Sequence, residues 1–169
     1  MDWPDNLHFD SAVGWFQLGN AVEARVELER LGARNRLLPD ALALEWKLLA
    51  SERCWKEAAV IAESWVEAAP GCPEAWLQRS FALHEAKHTQ QAWDKLLPAA
   101  TLFPETRTIA YNLACYACQL KQLDTARRWL RRALLGITSE RERCGWAVAA
   151  QQDQDLEPLW AEIRDGRLG

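Results

Sequence analysis

Two short stretches of this chain carry residue types at spacings that can do chemistry. His84-Glu85-Ala86-Lys87-His88 matches H-E-x-x-H. On an unbroken helix that spacing sets two imidazoles one turn apart as zinc ligands, with the glutamate beside them as general base of a zinc hydrolase. Cys115 and Cys118 form C-x-x-C, which at a helix N-terminus makes a redox-active pair and, with a second such pair, a tetrahedral zinc site. What either stretch can do depends on the element that carries it.

The chain is 169 residues long, 49% hydrophobic and 26% charged, enough for a substantial core and ordinary for a globular protein. Glycine (8) and proline (7) are scarce, which favours helix throughout. No apolar run reaches the ~18 residues of a membrane span, and MDWPDNLHFD lacks the charged-then-apolar pattern of a signal peptide. Five scattered cysteines fit reduced thiols in a cytoplasm better than a disulfide framework. A net charge of −4 argues against nucleic-acid binding. That charge is uneven: residues 121–143 hold seven Lys and Arg against three Asp and Glu, which leaves the rest of the chain at −8.

The elements that position these residues follow from a period of 34. Ala24, Ala58, Ala92 and Ala126 are spaced by it, and Leu28, Ala62, Leu96 and Leu130 each follow four residues later. Trp15, Leu49, Leu83 and Ala117 stand nine before the ladder alanines, and Pro70 and Pro104 stand twelve after two of them. Within each unit the apolar spacing is helical and breaks midway. Gly19-Asn20, Arg53-Cys54, Lys87-His88 and Lys121-Gln122 supply those turns, so each unit is predicted to be helix, turn, helix. The repeats fall at about 5–38, 39–72, 73–106 and 107–138 of a single domain, 1–169. Pro98 lies inside the second helix of the third unit and predicts a bend near Leu97. Ser139 and Glu142 have capping-box spacing, so a cap over 139–165 begins with a fifth long helix. Pro158 is expected in the first turn of a last helix, with Leu156, Leu159, Trp160 and Ile163 covering the final apolar face.

This register decides the two motifs. His84 belongs to a helix end, whereas His88 aligns with Asn20 and Gln122 in a turn, so the imidazoles do not share one helical face. Cys115 and Cys118 lie mid-helix, as two small packed residues one turn apart. Arg127, Arg128, Arg131 and Arg132 sit on a second helix and form a basic surface, read here as a solvated face more than as a site for an acidic ligand.

The pattern resembles the tetratricopeptide repeat family, W-x2-L-G-x2-Y, then A-x3-F, then P. Trp76, Leu83, Ala92, Leu96 and Pro104 carry it in the third unit, and YNLACYACQLKQLDTARRWLRRAL with Asn112-Leu113-Ala114 in the fourth. The tail AAQQDQDLEPLWAEI is similar to those of small bacterial members. The resemblance implies an all-α fold: a right-handed α-α superhelix of about four repeats plus capping helices, its concave wall built from the first helix of each repeat. On this chain the wall projects to Phe9, Phe16, Lys47, Leu77, Phe81, His84, Tyr111, Asn112, Cys115 and Gln119. Only Lys47 and Asn112 have residue types of the carboxylate clamp found in one subfamily, so no clamp is expected.

The implied function is a non-catalytic, cytoplasmic protein-interaction module that takes an unidentified peptide or partner protein in the groove. No catalytic residue, metal or cofactor is expected, and neither nucleic acid nor membrane is expected as a partner. Exposed repeat ends offer a route to self-association. One alternative is a chaperone for a type III secretion translocator; a remote one is a zinc hydrolase working through His84, Glu85 and His88.

Overall fold

The computed structural model describes Met1 and residues 3–167; Asp2, Leu168 and Gly169 fall outside the described residues. Every regular element among those residues is helical. The helices are α1 (Asp5–Gln17), α2 (Ala21–Glu29), α3 (Ala33–Arg36), α4 (Pro39–Ser51), α5 (Trp55–Ala68) and α6 (Pro73–Glu85). They continue with α7 (Thr89–Leu96), α8 (Ala99–Leu102), α9 (Arg107–Gln119), α10 (Leu123–Leu134), α11 (Glu140–Gln152), a 3-10 helix (Gln154–Leu159) and α12 (Trp160–Arg164).

The period is built into the backbone. The first helices α1, α4, α6 and α9 start at residues 5, 39, 73 and 107, and the second helices α2, α5, α7 and α10 at 21, 55, 89 and 123. Between them Gly19, Arg53, Lys87 and Lys121 all take left-handed backbone, with φ of 77°, 57°, 68° and 62°. Three of these turns show the same carbonyl pairing. Arg53 N–H donates to Ala50 O at 3.0 Å and Cys54 N–H to Leu49 O at 2.9 Å; Lys121 and Gln122 repeat this onto Cys118 and Ala117, and Gly19 and Asn20 onto Phe16 and Trp15. This Schellman arrangement satisfies carbonyls that a helix end leaves open. Glycine suits positive φ because it has no Cβ to disfavour it; three of the four turns hold that φ with arginine or lysine instead.

Ala24, Ala58, Ala92 and Ala126 are all fully buried. A larger side chain at those points would force neighbouring helices apart. Contacts cluster the chain into two units, residues 1–86 and 87–169. In the first, α1 packs with α2, α4 with α5, and α5 with α6. Ala12, Ala24, Leu28, Leu44 and Leu48 form one apolar cluster, flanked by half-buried Phe9, Val13 and Phe16; Trp46, Leu49, Ala58, Ala62 and Ala82 form another. Asp5 ties α1 to the start of α3, accepting from Gly32 N–H at 2.7 Å and Asn35 Nδ2 at 2.8 Å. A Cβ on Gly32 would sit 3.1 Å from that carboxylate oxygen, which is why the close approach uses glycine.

In the second unit, α9 packs with α10 and α7, and Leu96, Ile109, Leu113, Tyr116 and Leu130 are buried to 2% exposure or less. Pro98 ends α7 at Leu96 without turning the chain out of helix: Leu97 (φ −53°, ψ −42°) and Pro98 (φ −60°, ψ −33°) keep helical dihedrals into α8. The ring removes one N–H from the ladder, and the helix is interrupted between Leu96 and Ala99. Ser139 Oγ accepts from Glu142 N–H at the start of α11, as the capping-box spacing predicts. Pro158 departs from expectation: it lies inside the 3-10 helix instead of opening the last helix. Asp153 caps that tighter coil by accepting from Asp155 N–H at 3.0 Å, which brings Leu156 and Leu159 to full burial.

Candidate protein-interaction surfaces

The first helices of the first unit carry six of the ten wall residues. Phe9 and Phe16 on α1 are half-buried against the α1–α2–α4 cluster. Lys47 on α4 is exposed. On α6, Leu77 and His84 are each 9% exposed, whereas Phe81 is 38% exposed and sets its ring edge-on to Trp55 at a centroid distance of 5.5 Å. Leu77 and His84 therefore behave as packed residues, and Phe9, Phe16, Lys47 and Phe81 offer surface. An aromatic ring held by an edge contact with part of its face in water is a ready anchor for a partner, because its conformational entropy is already spent.

The wall on α9 is arranged differently, because the tail of the chain lies against it. Tyr111 Oη donates to Asp153 Oδ2 at 2.8 Å, Cys115 Sγ donates to the same oxygen at 3.5 Å, and Gln119 Nε2 donates to Asp155 O at 3.2 Å. Trp146 of α11 closes over Tyr111, ring centroids 5.4 Å apart. Burial, followed by the neighbouring Cys115 and Asp153, pushes Tyr111 ionisation above its ordinary range. Asn112 is half-buried. Three of the four wall residues on this helix are thus committed to segment 153–155, whose acidic residues carried no repeat signal.

The four arginines of the basic surface also divide. Arg127 is a clamp: Nε and Nη2 hold Glu162 of α12 at 2.9 and 2.7 Å, and Nη1 holds Asp124 at 2.7 Å. The Arg127 hydrogen bonds hold the Glu162 carboxyl below the usual carboxylate range. Arg127 therefore does not belong to a free basic surface; its partner lies 35 residues away, beyond the reach of helical spacing rules. Arg128 donates to Thr125 Oγ1 at 3.1 Å, and Arg132 donates to Ala100 O at 2.7 Å with its guanidinium 5.0 Å from the Trp129 ring centroid. Arg131 is exposed.

With this geometry in hand, likeness to solved structures decides the fold. MamA from Desulfovibrio magneticus RS-1, residues 41 to the end, matches with a TM-score of 0.75 at 16% identity, over 98% of this chain and 94% of that one. PilF of Pseudomonas aeruginosa matches with a TM-score of 0.67 at 20% identity, over 98% of this chain and 76% of that one. Both are tetratricopeptide-repeat proteins. The chain has the tetratricopeptide-repeat fold. No protein-family model matches the sequence, and no curated protein matches it; at 14–20% identity across such structures, the backbone retains the likeness that side chains have lost.

The backbone also places both chemical motifs. Helix α6 ends at Glu85, Ala86 caps it, and Lys87 turns left-handed before His88 begins the next coil. H-E-x-x-H thus spans a helix end and a turn, and the zinc arrangement requires one continuous helix. No group of three or more potential metal-ligating side chains gathers among the described residues. Cys115 and Cys118 sit mid-α9 at 4% and 3% exposure. Burial and then Asp153 push the Cys115 thiol up, and burial and then Asp155 push Cys118 up to about 11. Thiols held protonated in this way are poor nucleophiles. No helix among the described residues is long and apolar enough to cross a membrane.

Proposed function

We propose that this chain is a non-catalytic interaction module of four helix-turn-helix repeats, 5–38, 39–72, 73–106 and 107–138, with a cap over 139–165, working in the cytoplasm. Its ligand is a peptide or partner protein taken on the first helices of the first unit. The observation that carries this reading is a contrast between walls. On α9 the chain's own residues 153–155 engage Tyr111, Cys115 and Gln119, whereas Phe81 and Lys47 on α6 and α4 keep exposed surface. Aromatic side chains on a rigid helical surface with few fixed charges suit apolar anchors on an extended or helical segment.

Affinity isolation from the native host, comparing wild type with Phe81→Glu and Lys47→Glu, tests it. Lys47→Glu changes an exposed side chain and leaves packing intact, so it separates lost binding from lost folding. Partners that depend on both residues support the proposal. Partners retained by both folded variants would place the binding surface elsewhere.

A further inference from the structure

We infer that the cleft between α7 and α10 is a second docking surface, which takes an extended acidic peptide of a partner protein. The cleft has a volume of about 510 Å³ and is lined by Trp93, Gln122, Thr125, Arg128, Trp129 and Arg132. It lies on second helices, apart from the wall described above.

Its charge is uncompensated. Arg127 spends its guanidinium on Asp124 and Glu162, but the partners of Arg128 and Arg132 are a hydroxyl and a backbone carbonyl. Among the described residues no carboxylate forms an ion pair with Arg128 or Arg132, the two arginines that line the cleft. Arg132 is also preorganised. The Ala100 carbonyl and the Trp129 ring fix its plane, which leaves its remaining N–H groups to bind an anion at little entropic cost.

The spacing selects the ligand. Arg128 and Arg132 are one helical turn apart on one face, ~6 Å between their Cβ atoms. Alternate residues of an extended peptide point the same way at ~7 Å intervals, so carboxylates at positions i and i+2 meet the two guanidiniums. The next residue on that face, i+4, is given an aliphatic side chain to meet the Trp93 and Trp129 indoles that line the same cleft. Trp93 and Trp129 meet edge to face at 6.2 Å with planes 80° apart, and Arg132 covers one Trp129 face. That arrangement offers apolar edges rather than the open parallel faces on which nucleic-acid bases stack. The net charge of −4 points the same way.

Fluorescence anisotropy with the labelled peptide Glu-Ser-Glu-Ser-Leu tests the inference, against Gln-Ser-Gln-Ser-Leu, Glu-Ser-Glu-Ser-Ser and a short oligothymidylate. Wild type should bind the first peptide in a salt-sensitive way, and both altered peptides more weakly. Arg128→Glu, on an exposed side chain, should weaken binding about tenfold. Arg141→Glu makes the same charge change on α11 and should weaken it less than about twofold. Absence of peptide binding, equal losses in the two variants, or tighter binding of the oligothymidylate would each overturn the inference.

Discussion

Replacing Lys121 with glycine should stabilise this protein although it deletes a charged side chain and adds no contact. Lys121 holds φ at +62° between α9 and α10, where an L-residue with a Cβ costs about 1–2 kcal/mol. Glycine removes that cost but gives back about 0.4–1 kcal/mol through a more flexible unfolded chain. Losing a cation near the C-terminus of α9 returns about 0.3 kcal/mol more. The net is about 0.5 kcal/mol of stabilisation. Arg53→Gly, at φ +57° in a separate turn with no shared partner, should add a similar amount. Together the two changes should raise the melting temperature by about 2–4 °C for a chain of this size. Gly19→Ala runs the argument backwards and should cost about 0.5–1 kcal/mol. Lys121→Val should also destabilise, because β-branched residues tolerate positive φ least. Urea titration with equal m-values across the set is the assay. If Lys121→Gly lowered the midpoint while Gly19→Ala left it unchanged, the turn geometry would not be a source of strain.

Other consequences follow from named contacts. Ala126→Leu should cost about 1–3 kcal/mol by overpacking a fully buried helix contact, read from the same titration. Asp5 has its pKa lowered from 3.8, first by Asn35 and then by Gly32 N–H. Its contribution is therefore present above that value and fades as pH falls through the lowered one, so the melting-temperature gap between wild type and Asp5→Ala should close on acidification below about 3.8. Mass-spectrometric labelling of the folded protein with a thiol reagent should modify exposed Cys144 first and Cys115 and Cys118 last; early labelling of α9 would contradict its burial.

The parts of this fold legible in the sequence are those set by local rules. The repeat boundaries at 39 and 73, the Ser139 cap and the alanine ladder all act within a turn or a period of their own residue. The left-handed state of Arg53, Lys87 and Lys121 was not legible, because neither lysine nor arginine advertises positive φ; only register with Gly19 connects them. Long-range pairings escaped for a different reason. The Arg127–Glu162 clamp and the Asp153 contacts with Tyr111 and Cys115 join residues 35 to 42 apart, and no periodicity encodes them. The Trp93–Trp129 cleft was hidden likewise, since its indoles occupy different offsets in their repeats.

The central claim is that a protein ligand covers the first helices of the first unit. Lysine footprinting measures this most directly: acetylate the captured complex and the free protein, then compare each lysine by mass spectrometry. Exposed Lys47 on α4 should be protected in the complex, while exposed Lys56 on α5 and Lys121 in the α9–α10 turn react as in the free chain. Unchanged Lys47 reactivity in a saturated complex would contradict the account.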